Sequence, residues 1–144
     1  MVQVATEQVR IPVGRARVAR VVALVLRAER VRNAELSVTF VSDRRMARLN
    51  QEHLAHAGAT DVISFGFAPV AEGGPLTGDV YIAPAVARRN ALAHGSGIRE
   101  ELLRLVVHGT LHVVGHDHPV DEARYESAMW RLQERLLRRV LQAT

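Results

Sequence analysis

The segment His108-Gly-Thr-Leu-His-Val-Val-Gly-His-Asp-His118 places four histidines within eleven residues and constrains the local fold more than any other part of the chain. Taken as a helix, the segment sets His108 and His112, four residues apart, on one face. Two imidazoles so placed can share one metal ion at roughly 2.0–2.1 Å. Gly115 is the expected helix stop, and the turn it permits can return His118 toward the other two. His116 also lies four residues beyond His112, but on a straight helix His108 and His116 are about 12 Å apart in rise, too far to meet at one ion. One zinc ion per chain, held by His108, His112 and His118 with a fourth position left for water, is the expected centre. Zinc can bring water to ionise near neutral pH, which supplies a hydroxide nucleophile to a chain that has no cysteine. Asp117 has two readings: it orients a ligand imidazole or assists that water, or it is a solvated turn residue or cap.

Hydrophobic periodicity gives the frame around this segment. Val2 to Val13 alternates loosely as an opening strand, and Gly14 to Val31 has helical spacing with Val18, Val21, Val22 and Val25 as its apolar stripe. Glu35 to Val41 is rich in β-branched residues and reads as a strand, after which Ser42 or Asp43 can cap a helix to about Leu54. A loop over 55–59 leads to a strand Thr60 to Phe67, a Gly- and Pro-rich turn Pro69 to Thr77, and a strand Asp79 to Ala83. Pro84 can open a helix to about Ala93, and Gly95 to Gly97 breaks it before the apolar helix Ile98 to Val114 that carries His108 and His112. Pro119 and Asp121 restart the chain as a last helix, with Tyr125, Ala128, Met129, Leu132 and Leu136 on the face that covers the histidine helix. The expected class is α+β: one domain over residues 1–144, a small mixed sheet of about four strands packed with about five helices. No repeat or long linker divides it.

Charge distribution adds a second functional signal. All nineteen basic side chains are arginine, and residues 1–32 hold seven of them against only Glu7 and Glu29. Arg20, Arg27 and Arg30 fall together on one face of the first expected helix, a patch able to hold a polyanion through its phosphates. Three phenylalanines, two tyrosines and one tryptophan leave little aromatic surface for base stacking, so contact with a polyanion's phosphate backbone is expected rather than sequence reading. Val21 to Leu26 is too short an apolar run to span a bilayer, and residues 1–7 lack the pattern of a secretory signal. A cytoplasmic protein without a membrane partner is expected.

The histidine segment resembles the metal motif of the YbeY family, bacterial rRNA maturation factors described as single-strand-specific endoribonucleases. That motif, His-Gly-x-Leu-His-x-x-Gly-Tyr-Asp-His, corresponds to His108, Gly109, Leu111, His112, Gly115, Asp117 and His118, with His116 in place of the tyrosine. Thr60-Asp-Val-Ile-Ser-Phe65 and Gly78-Asp-Val-Tyr-Ile82 resemble two strands of the family, and Leu49-Asn50 an earlier signature. Gly109 also separates the motif from His-Glu-x-x-His metalloproteases, whose general base would stand there. The resemblance implies zinc-dependent cleavage of single-stranded RNA at the 3′ end of small-subunit rRNA and a part in ribosome quality control. It further implies association with the small ribosomal subunit and contact with an assembly GTPase.

One departure bears on activity. Counted without a gap between Leu49-Asn50 and Thr60-Asp61, the family's arginine, lysine and aspartate fall on Leu54, His56 and Ala57. Leucine offers none of the paired hydrogen bonds by which arginine holds a phosphate. His53 or His56, or Arg44, Arg45 or Arg48 from the preceding helix, are the available substitutes. Two further functions therefore stand beside the nuclease: a ribosome-assembly binding factor with structural zinc, and a zinc hydrolase with a non-nucleic substrate.

Overall fold

The structure is a computed structural model and describes residues 1–54, 60–118 and 122–143. Four strands, β1 (Val2–Thr6), β2 (Ala34–Phe40), β3 (Val62–Phe67) and β4 (Leu76–Ile82), form one mixed sheet in the order β1-β2-β4-β3. β1 and β4 both run parallel to β2, and β3 is antiparallel to β4. The helices are α1 (Arg15–Ala28), α2 (Asp43–Leu54), α3 (Pro84–His94), α4 (Ile98–Val114) and α5 (Ala128–Gln142), with a 3-10 turn at Glu122–Glu126. The α+β class, the mixed sheet of four strands and the five helices agree with the sequence expectation.

Period-2 alternation explains the two central strands. Leu36, Val38 and Phe40 of β2 and Val80 and Ile82 of β4 are buried on one face, while Glu35 and Ser37 of β2 and Thr77 and Asp79 of β4 lie on the other. The buried face is covered by α1, through Val18, Val21, Val22 and Val25, and by α4, through Leu102, Leu103, Val106, Val107 and Leu111. α5 closes this core with Met129, Leu136, Leu137 and Val140, so it covers the histidine helix as expected. On the opposite face, Met46 and Leu49 of α2 pack with Ile63, Phe65 and Tyr81 in a smaller cluster. The sheet thus separates α2 from α4.

Glycines set how closely α4 approaches the sheet. A Cβ on Gly109 would lie 2.5 Å from a Val80 methyl, and one on Gly78 would lie 2.4 Å from a Val113 methyl. Neither distance is tolerable for carbon atoms in a packed core. Gly109 therefore has a packing reason to stand between His108 and His112, beyond its place in a motif. Through these contacts the histidine helix is seated directly on β4 and β3.

Several boundaries differ from the sequence reading. β1 stops at Thr6 because the chain turns at Gln8, which has φ 57°, well before Val13. α1 ends at Ala28 rather than Val31, with Glu29 as its cap and Arg30 in the left-handed region at φ 60°. Arg30 is therefore not on the helical face shared by Arg20 and Arg27. β4 begins at Leu76, three residues early, because the Leu76 N–H donates to the Asn33 carbonyl and starts the pairing with β2. α5 begins at Ala128, where the Ser127 side chain accepts from the Trp130 N–H, whereas Pro119 and Asp121 lie outside the described residues. Its buried stripe is Met129, Gln133, Leu136, Leu137 and Val140, and Tyr125 and Ala128 are exposed. Among the described residues, no helix is long and apolar enough to cross a membrane.

Candidate metal centre

Ten residues of α4 are buried, Val107 and Leu111 among them, which fixes the rotation of the helix and leaves His108 and His112 half-buried on a lateral face. Gly115, at φ 120°, ends the helix where only glycine is unstrained, and its N–H donates to the Leu111 and His112 carbonyls. The His116 N–H also donates to Leu111, after which the chain leaves the helix and carries His118 back. Asp117 Oδ1 accepts from the His118 N–H at 2.8 Å, so the aspartate shapes the turn that presents this histidine.

One nitrogen from each of His108, His112 and His118 lies within 4.8 Å of the other two. The ring centroids are 4.6, 4.9 and 5.0 Å apart, close to an equilateral triangle. Such a donor set suits a divalent cation of borderline softness, and the half-buried setting leaves room for a further ligand. His116 takes a different path. Its Nε2 pairs with Oε1 of Glu29, the cap of α1, which ties the turn after α4 to the neighbouring helix.

Burial chiefly, and the other two histidines in addition, push the His108 imidazole down to about 4, against the opposing effect of its hydrogen bond to the Gln133 carbonyl. Burial and the neighbouring His118 also lower His112. Both rings are accordingly neutral near pH 7, with a lone pair each to give to a cation. The depressed value has a measurable consequence for metal-free protein. Because the unfolded chain takes up a proton near the ordinary value of 6.5 and folded His108 only near 4, the folded state loses stability as pH falls through that window and is level below it. Thermal melts of chelator-treated protein between pH 7 and pH 4 are expected to show this decline, and His108→Asn is expected to flatten it. An identical decline in the variant would contradict the assignment.

Asp61 stands at the entrance to β3 with its main-chain carbonyl on the Ala83 N–H and its Oδ2 receiving the Asn90 amide at 3.2 Å. Burial raises its carboxyl above the ordinary range, while the Arg124 guanidinium pulls the other way. Arg124, an exposed side chain of the 3-10 turn, also weighs weakly against the charged form of His108. Arg124, Glu29 and Gln133 all escape a reading of periodicity, because each acts through a partner distant in sequence.

The expected substitutes for the family arginine are scattered. Arg45 pairs with Glu7 at 3.7 Å, Arg44 and Arg48 are exposed on α2, and His53 packs edge-on to Phe65 with centroids 5.2 Å apart. Leu54 is the last residue of α2, and its side chain, with His56 and Ala57, lies outside the described residues. Arg20 and Arg27 are exposed on α1. At its end, Arg27, Arg30 and Arg32 rim an open groove of about 670 Å³ floored by Val2, Leu26 and Val31.

A family profile described as Endoribonuclease YbeY matches residues 2–141. A protein of that name from Micrococcus luteus is 40% identical over 114 residues, spanning 75% of this chain and 71% of the relative. Another from Thermobifida fusca is 37% identical over 135 residues, spanning 88% of this chain and 86% of the relative. The solution structure of TM1509 from Thermotoga maritima has the same fold, with a TM-score of 0.66 over 99% of this chain and 91% of that one at 23% identity.

Proposed function

The chain belongs to the endoribonuclease YbeY family, and on that premise we propose that it is a zinc-dependent, single-strand-specific endoribonuclease of rRNA maturation. The convergence of three imidazole nitrogens within 4.8 Å carries this reading. Its substrate is the 3′ end of small-subunit rRNA, in the cytoplasm, with the small subunit and an assembly GTPase as partners and ribosome quality control as the wider role.

His108, His112 and His118 hold the ion. When bound, zinc supplies Lewis acidity and an activated water for attack on a phosphodiester. Asp117 presents His118 through Oδ1, and its second oxygen is the proposed acceptor of the proton released by the attacking water. Arg124, whose charge bears weakly on His108 and Asp61, is proposed as a partial substitute for the family arginine. Arg20, Arg27 and Arg30 hold the RNA backbone beyond the reacting phosphate.

Replacing Arg20, Arg27 and Arg30 together by glutamine tests the last role. Each single-strand phosphate that the protein no longer neutralises reduces the slope of log affinity against log salt by about 0.7, so the triple variant is expected to bind RNA more weakly with a slope smaller by about 2. Zinc content is expected to stay the same. An unchanged slope in a fluorescence titration at several salt concentrations would leave these arginines merely solvated.

A second reading, an assembly factor whose zinc is structural, is favoured by one observation: leucine stands at position 54, where the family register places its arginine. The two separate on whether zinc-loaded protein cleaves single-stranded RNA.

A further inference from the structure

Gln133 is 1% exposed and occupies the core-facing stripe of α5 among Met129, Leu136, Leu137 and Val140. A primary amide in such a place is costly unless both of its ends are paired. Both are: Oε1 lies 2.5 Å from His108 Nδ1, and Nε2 donates to Glu134 Oε2 at 3.0 Å. Glu134 in turn receives the Arg104 guanidinium at two points, Nε to Oε2 at 2.9 Å and Nη2 to Oε1 at 3.1 Å. Arg104 also donates to Glu101 at 2.7 Å and Glu100 at 3.3 Å, which holds it along α4.

The direction of every bond in this chain follows from Arg104. A guanidinium only donates, and the Glu134 carboxylate facing it only accepts. The end of Gln133 that meets Glu134 must then be its NH2, so the end that meets His108 is its carbonyl. A carbonyl only accepts, so His108 must carry its proton on Nδ1. Nε2 is left with the lone pair.

We propose that Gln133 is a positioning residue of the metal centre, which fixes His108 as its Nδ1–H tautomer and leaves Nε2 as the atom that meets the ion. Its effect on metal affinity rests on the three-histidine reading above, whereas the tautomer stands without it. Outer partners of this kind orient a ligand ring and raise its basicity, and their loss costs about 10–100-fold in metal affinity or activity.

The test is the ring-nitrogen NMR spectrum of ¹⁵N-histidine-labelled, metal-free protein together with zinc titration. Wild-type His108 is expected to show its proton on Nδ1. Gln133→Ala is expected to lose that preference and to weaken zinc binding by about 10–100-fold. Gln133→Met, which fills the same space in the core but offers Nδ1 no carbonyl, is expected to lose the tautomer preference and the affinity as Gln133→Ala does, an outcome that a merely space-filling role would not produce. A proton on Nε2 in the wild type overturns the proposal, with no need for any variant to fold. So does a Gln133→Ala protein that keeps both the tautomer and, within twofold, the zinc affinity. Wild-type protein that takes up no zinc sinks the metal reading alone, since the tautomer still decides the role of Gln133.

Discussion

Replacing His108, His112 or His118 singly by alanine is expected to abolish stoichiometric zinc binding, while His116→Ala leaves it intact. Two remaining imidazoles make a bidentate site, and the loss of a ligand exceeds the 10–100-fold cost of losing an outer partner, so cleavage of RNA is expected to fall by more than about a hundredfold. His116→Ala breaks the pair with Glu29 that joins the turn to α1, at a cost in stability of about 1 kcal/mol rather than in metal. Metal analysis of the four purified variants decides between these fates. Full zinc in His118→Ala together with its loss in His116→Ala would exchange the roles of the two histidines.

Leu54→Arg is expected to raise the rate of cleavage of single-stranded RNA. A donor held against developing charge contributes about 2.7–4 kcal/mol, or about a hundredfold to a thousandfold in rate. Native protein, with leucine there, is expected to cut slowly, its remaining rate depending on Arg124. If native protein cuts rapidly and Leu54→Arg changes nothing, the clamp already exists elsewhere, and Arg124→Ala should then lower the rate by a comparable factor. If neither protein cuts RNA while both hold zinc, the assembly-factor reading replaces the nuclease.

The parts of this site legible in the sequence are those governed by local periodicity. The spacing of His108 and His112 on a helix, the stop at Gly115 and the return of His118 follow from the rise and pitch of α4 and from the conformational freedom of one glycine. The valine stripe of α1 and the alternation in β2 are visible for the same reason. Long-range pairing is not. Gln133 is a polar residue on an apolar stripe, and nothing within α5 reveals that its partner is a histidine 25 positions earlier. Glu29 looks like a surface charge until the fold brings it to His116, 87 positions away. Boundaries shift where a single residue turns the backbone, as at Gln8 and Arg30, or where a neighbouring strand supplies hydrogen bonds, as at Leu76.

The packing of α4 connects these observations to function. Gly66, Gly78 and Gly109 let the helix lie close against β3 and β4, and a Cβ on Gly66 would come within 2.8 Å of the Val113 main-chain oxygen. His112 is the neighbour of Val113, so the closeness of this contact fixes the height of one of the three clustered imidazoles over the sheet. From the other side, α5 reaches His108 through Gln133. The three imidazoles are thus held from the sheet, from a helix and from a turn shaped by Asp117.

Cleavage of a labelled single-stranded RNA by chelator-treated protein, before and after one equivalent of zinc per chain, measures the central claim most directly. A three-histidine hydrolytic centre requires the metal-free protein to be inactive, one equivalent of zinc to restore cutting, and His112→Ala to remain inactive with zinc present. Equal cleavage by the metal-free protein and by His112→Ala would contradict it.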